Sequence, residues 1–200
     1  MTETFRRKSS SALCDDPTEQ VFEGNRGLIY ALTAPGPAAD LAEKLNLFGR
    51  LVGSWDVDLI SHRFDPILAN RVECEWHFGW VLGGRAIQDV WIAPKRALRQ
   101  NGDTRGEWGT MIRFYDKAID AWRCTWHGPQ RGVARSFIAR PVDNRIVLEG
   151  IFEDEGPLRW IFSEITNNSF HWRSVVSSDN WKTEKMIQEM FARRQSDYRP

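Results

Sequence analysis

The chain has 200 residues, in which 27 Lys plus Arg balance 27 Asp plus Glu, so no net field draws it to nucleic acid or to an anionic membrane surface. That length suffices for one domain with one core, which buries roughly 70% of its unfolded surface without disulfides or metals. Cys14, Cys74 and Cys124 are odd in number and far apart, fitting neither a disulfide framework nor a paired-cysteine zinc site, and read as reduced thiols of a cytoplasmic protein.

Arg6, Arg7 and Lys8 are not followed by the apolar core of a signal peptide, and no later run reaches the ~18 apolar residues of a membrane span. Residues 1–37 are polar, then irregular, and end in Ala34-Pro35-Gly36-Pro37, a turn-rich linker. They read as a tail or lid, with Val21, Phe22, Leu28, Ile29 and Tyr30 as its apolar part, ahead of a barrel domain over 38–200. From Ala38 to Leu51 the pattern changes. Leu41, Leu45, Phe48 and Leu51 recur at spacings of three and four, which predicts one amphipathic helix with Asp40 and Glu43 near the positive end of its dipole.

Beyond Gly53 the chain alternates with period two between Gly, Asn, Asp and Pro punctuation. The alternation predicts ten strands, over 54–63, 70–81, 85–93, 107–116, 120–127, 131–141, 145–153, 157–165, 170–177 and 181–192. Short turns without crossover helices make an antiparallel meander, and closing it into a barrel removes its edges. The expected fold is therefore all-β: a single barrel of about ten strands with one N-terminal helix packed at its end. Ten tryptophans imply either a very aromatic core or an aromatic-lined cavity.

Gly53-Ser54-Trp55 at the entrance to the first strand resembles the Gly-X-Trp signature of the calycins, the lipocalins and their relatives. The resemblance implies that an arginine of the last strand, Arg193 or Arg194, packs across Trp55 and closes the base. The runs Trp76-His77-Phe78-Gly79-Trp80-Val81-Leu82-Gly83-Gly84-Arg85-Ala86-Ile87-Gln88-Asp89-Val90-Trp91 and Gly109-Thr110-Met111-Ile112-Arg113-Phe114-Tyr115-Asp116 extend it. With Asp120-Ala121-Trp122-Arg123 and Arg159-Trp160-Ile161-Phe162-Ser163, they resemble the uncharacterised bacterial DUF1579-like family over roughly residues 39 to 194. That family implies a calycin barrel and brings no agreed reaction or catalytic residues.

On strand 70–81 the even positions Cys74, Trp76, Phe78 and Trp80 are apolar, while Glu73, Glu75 and His77 occupy the odd ones; Trp122, Cys124 and Trp126 likewise oppose His127. Neighbours in a strand face opposite ways, and burying an indole gains more than burying an unpaired imidazole. Trp76, Trp80, Trp122 and Trp126 should therefore face inward, and His77 and His127 outward. A homodimer partner, or the helix at 38–51, covering an exterior band of Trp would reverse these phases.

Polar groups in phase with apolar neighbours are the expected ligand-orienting groups. They are Gln88 (with Ala86 and Val90), Thr110 (with Ile112 and Phe114) and Glu164 (with Trp160 and Phe162). On strand 85–93 the opposite phase of Ile87, Asp89 and Trp91 is nearly as apolar, so both Gln88 and Asp89 stay open. No Gly-X-Ser-X-Gly elbow, His-X-His or His-Glu-X-X-His occurs, and Gly83-Gly84 reads as a hairpin turn; no metal and no cofactor is implied. The expected function is binding of a hydrophobic or aromatic small molecule by Trp76, Phe78, Trp80, Gln88, Thr110, Phe114, Trp122, Trp126, Trp160 and Glu164. One alternative is a cyclase, isomerase or lyase using His77, His127 or Asp89 as acid or base. Another is a haem-binding barrel with a histidine ligand.

Overall fold

The computed structural model describes residues 17–62, 71–100, 106–152, 154 and 156–196, with side chains from Gly24 onward. Cys14 and the side chains of Val21 and Phe22 lie outside them. Two compact units meet in sequence at Leu32 and Thr33. The first contains helix α1, Pro17–Leu32, where an irregular tail was expected. Pro17 suits a first helical position because its missing N–H has no partner there. Gly24 and Gly27 lie inside the helix, each costing about 1 kcal/mol against alanine, and they obscure the helical pattern.

The second unit begins at Thr33, one residue before the segment read as a linker. Thr33 forms an isolated antiparallel bridge with Val81, and the Ala34 N–H donates to the Trp80 carbonyl at 2.9 Å. Gly84, at φ 75°, lies so close to this segment that a Cβ there would meet the Gly36 carbonyl oxygen at 2.2 Å. A 3₁₀ turn, Ala39–Leu41, leads into α2, Ala42–Gly49. Leu45, Phe48 and Leu51 of the predicted apolar face are completely buried.

Ten strands follow: β1 Gly53–Ser61, β2 Arg71–Val81, β3 Ala86–Ala93, β4 Glu107–Asp116, β5 Ala121–Gly128, β6 Val133–Val142, β7 Arg145–Phe152, β8 Gly156–Ser163, β9 Ser169–Val176 and β10 Lys185–Arg194. Each pairs antiparallel with its neighbours in sequence, and β1 pairs with β10, closing the barrel. Closure leaves no sheet edge exposed. Among the described residues no helix is long and apolar enough to cross a membrane.

One end of the barrel is plugged. The Phe48 ring meets Trp122 edge-on at 4.9 Å between centroids, and a Cβ on Gly49 would strike the Trp80 ring at 2.8 Å. Next to this plug Trp55 is fully buried and donates its indole N–H to the Leu51 carbonyl at 2.8 Å. The Arg194 guanidinium lies 4.1 Å from the Trp55 ring and donates to the carbonyls of Val52 at 2.7 Å and Arg50 at 3.0 Å. This is the base closure that the calycin resemblance implies, and Arg194 carries it; Arg193 points outward to Asp58. The fold is a calycin-like barrel.

Candidate functional site

Toward the other end, where β1 finishes and β10 begins, the lumen opens into a cavity of about 300 Å³. Five tryptophans encircle it. Trp76 and Trp91 are direct cross-strand partners. From Trp91 the rings continue edge-on through Trp126 (6.1 Å), Trp160 (5.9 Å) and Trp172 (5.4 Å), and back to Trp76 (6.3 Å). Phe162, Met111 and Met190 complete the apolar wall.

Local sequence makes room for this ring. Gly109 sits beside Trp91 in the β3–β4 register, and a Cβ there would lie 2.3 Å from the Trp126 ring. At Gly128 a Cβ would meet the Glu107 carboxylate at 2.6 Å. Glu107 is buried and accepts the backbone N–H groups of Trp108 (3.0 Å), Gln130 (3.1 Å) and Arg131 (3.3 Å). It is thereby spent on holding the turn between β5 and β6.

The floor of the cavity is an ion pair. Asp89 and Arg113 are bonded to each other, with side chains 0% and 1% exposed. Asp89 also accepts the Met111 N–H at 3.2 Å, and the Arg113 guanidinium lies 5.0 Å from the Phe48 ring and 5.4 Å from the Phe78 ring. Burial pushes the Asp89 carboxyl above the usual carboxylate range; the Arg113 charge and the Trp76 and Met111 N–H groups oppose it. The Trp76 N–H leans toward Asp89 without reaching normal hydrogen-bond geometry.

The predicted site residues divide three ways. Trp76, Trp126 and Trp160 line the cavity. Phe78, Trp80 and Trp122 point inward but belong to the plugged end, against Arg113, Gly49 and Phe48. Gln88, Thr110, Phe114 and Glu164 are not in the lumen, which corrects the expected phase of β3 and β4. Gln88 donates to the Thr110 hydroxyl at 2.9 Å on the outer face, beside Trp108 and His127. Phe114 is 44% exposed, and Glu164, at φ 53°, follows the end of β8 and points to solvent. The lumen takes the opposite phase, with Trp91, Asp89, Met111 and Arg113. Periodicity could not choose it, because the outer positions Val90, Ile112 and Phe114 are as apolar as the inner ones. Arg131, Arg135 and Trp172 were also missed; the Arg residues read as solvated positions by type alone.

None of the four histidines lines the cavity. His77 lies on the outer face with Nδ1 2.9 Å from the Ser54 hydroxyl and Nε2 3.0 Å from Glu75. The row superficially resembles a nucleophile, base and acid, but Glu75 is committed to Arg96, accepting from its backbone N–H at 2.6 Å and its guanidinium at 2.9 and 3.0 Å. Burial raises Glu75, yet the Arg96 bonds and His77 outweigh it and bring the carboxyl to about 2. A depressed carboxylate stabilises the fold above its unfolded pKa, and that contribution disappears as pH falls toward the folded value. The melting temperature should therefore drop between about pH 4.5 and 2, and Glu75→Gln should flatten that decline; a variant losing stability in parallel with the parent would contradict it. Burial also pushes both described thiols up, Cys124 to about 12, so neither is a ready nucleophile at neutral pH.

No family model matches the chain, and no curated protein matches it either. The DUF1579-like resemblance therefore gains nothing from these comparisons. Among solved structures, an S-type phycobiliprotein lyase, CPES from Guillardia theta, is similar at 14% identity and a TM-score of 0.47, covering 76% of this chain and 93% of that one. A likeness at that level adds nothing to the reading of the cavity. What the chain itself establishes is a closed ten-strand calycin-like barrel, plugged at one end and hollow at the other.

Proposed function

We propose that the barrel binds a small, largely aromatic molecule within its ring of tryptophans. Five indoles around about 300 Å³ of lumen, joined by four ring contacts and the cross-strand pairing of Trp76 with Trp91, carry this reading. Voids left by core truncations cost about 24 cal/mol per Å³, so a lumen of this size is too large for a tolerated packing fault. Its volume falls at the lower end of ligand pockets, and aromatic walls with few polar groups are what such pockets use.

N-phenyl-1-naphthylamine, a neutral aromatic dye, tests the proposal. The dye's emission should rise and Trp emission should be quenched as it binds. Trp126→Ala and Trp160→Ala should each weaken binding about tenfold, the effect of roughly 1.4 kcal/mol of lost contact. His77→Ala and His127→Ala, on the outer face, should stay within a few-fold of the parent. Unperturbed Trp emission, or equal losses in the His variants, would remove the lumen as the site.

A second reading, an enzyme of cyclase, isomerase or lyase type, is favoured by Asp89, a carboxyl in the same lumen that burial pushes toward its protonated form; buried titratable groups in cavities are the usual acid–base candidates. Mass spectrometry of small molecules purified with the parent and with Asp89→Asn separates the two. The same molecule from both supports binding alone, whereas a precursor accumulating on Asp89→Asn supports catalysis.

A further inference from the structure

Three neutral polar residues stand in one row across the cavity wall. Ser61 of β1, Gln188 of β10 and Ser174 of β9 are direct cross-strand partners, and all three line the lumen near its mouth. A bulge puts Gln188 there. Met186 pairs with Val175 and Gln188 with the adjacent Ser174, so Ile187 is the extra residue of β10. Two positions apart on a regular strand, Met186 and Gln188 would share a face. Here Met186 packs on the outside with Val147, Ile161 and Val175, while Gln188 turns inward beside Ser61 and Ser174. Bulges concentrate at barrel rims and beside functional sites because they re-aim a side chain in this way.

An amide set into an aromatic wall is costly unless something bonds it. Among the described residues neither the Gln188 amide nor the Ser174 hydroxyl has a hydrogen-bond partner, and both keep accessible surface on the cavity that they line. The charged groups of the wall are committed: Arg113 to Asp89, Arg135 to Asp154 at 2.7 Å, and Glu107 to three backbone N–H groups, while Arg131 has a partner of its own. From these observations, and resting on the binding reading above, we infer that Gln188 is the specificity-determining residue of the cavity and that the ligand is a neutral aromatic amide, a carboxamide or lactam. A primary amide sets an acceptor beside its N–H donors, so the group that satisfies it sets a donor beside an acceptor, as another amide does. The Ser174 hydroxyl, able to donate and to accept, completes the contact. An ionised group would lose its water without meeting an uncommitted countercharge. Trp172 and Met190 are cross-strand partners two residues further along β9 and β10, roughly 7 Å deeper in the lumen, so a one- or two-ring body carrying the amide lies against the indoles.

Competition against bound N-phenyl-1-naphthylamine tests this in the full-length protein, with 2-naphthamide as the probe. Two near-isosteres serve as controls: 2-acetonaphthone, which accepts a hydrogen bond but cannot donate one, and 2-naphthoate, which is charged. The amide should displace the dye at a concentration about fivefold lower than either control, the effect of one net hydrogen bond. Gln188→Met keeps the side-chain length and removes both hydrogen-bonding groups; it should bring amide and ketone within about twofold of each other while the dye still binds. Ser174→Ala should reduce the preference without abolishing it. Equal displacement by amide and ketone in the parent, or stronger displacement by 2-naphthoate, overturns the inference while dye binding leaves the cavity reading standing. A preference for the amide that survives in Gln188→Met also overturns it, because the amide would then be held elsewhere. So does loss of dye binding in that variant, which would make Gln188 a structural residue. If the dye and all three probes fail to bind the parent, the cavity reading falls and takes the inference with it.

Discussion

Arg113→Met is expected to destabilise the protein by about 3–5 kcal/mol, the cost of removing one partner of a fully buried ion pair. Asp89 and Arg113 are 0% and 1% exposed, so water cannot solvate the carboxylate that remains. The Met111 N–H would be its one backbone donor, too little to replace a guanidinium. Protonation is the escape. In the parent, burial already pushes the Asp89 carboxyl up against the opposing Arg113 charge, and losing that charge raises it further. For a carboxyl whose folded pKa lies above its unfolded one, the folded state binds more protons between the two values, so stability falls as pH rises through that window. The deficit of Arg113→Met should thus be smaller near pH 5 than near pH 8. Asp89→Leu with Arg113→Met should recover most of the loss, since an apolar replacement of a buried pair is often neutral or stabilising. Urea denaturation of the parent, both single variants and the double variant at the two pH values measures the cycle. Additive single effects would show that the pair is not coupled.

Trp55→Ala should cost about 3–5 kcal/mol, as truncation of a fully buried aromatic does. Its ring is completely buried, its N–H is bound to the Leu51 carbonyl, and its centroid lies 4.7 Å from that of Phe170. The substitution also strips the platform under Arg194. That guanidinium ties two backbone segments to β10 through the carbonyls of Arg50 and Val52 and of Asn167, so Arg194→Met should be destabilising too, by a smaller amount. Because Arg194 packs on Trp55, the double variant should cost less than the sum of the singles. Additive effects would mean that the two residues stabilise the base independently, contrary to the contact.

Much of this architecture was legible in the chain. Period-two alternation located all ten strands, the spacing of Leu45, Phe48 and Leu51 located α2, and Gly53-Ser54-Trp55 with Arg193 or Arg194 located the closed base, the structure choosing Arg194. These signals are local, or span two contacts that one motif specifies, and alternation along β2 and β5 placed Trp76, Trp126, His77 and His127 on their faces because the two faces differ sharply in polarity.

On β3 and β4 that contrast fails. Both faces are apolar apart from a few polar groups, and only the tertiary structure decided that Asp89 and Arg113 enter the lumen while Gln88, Thr110 and Phe114 stay outside. Read singly, a buried arginine and a buried aspartate look forbidden, and burial becomes affordable only when closure of the barrel sets one against the other. The cavity had the same origin. Ten tryptophans announce aromatic area in the composition, but whether indoles fill a core or surround a space depends on their heights in the barrel. Trp55, Trp80 and Trp122 fell at the plugged end under α2, and Trp76, Trp91, Trp126, Trp160 and Trp172 at the hollow one. Height is set by cross-strand register, a relation between residues distant in sequence that no window along the chain contains.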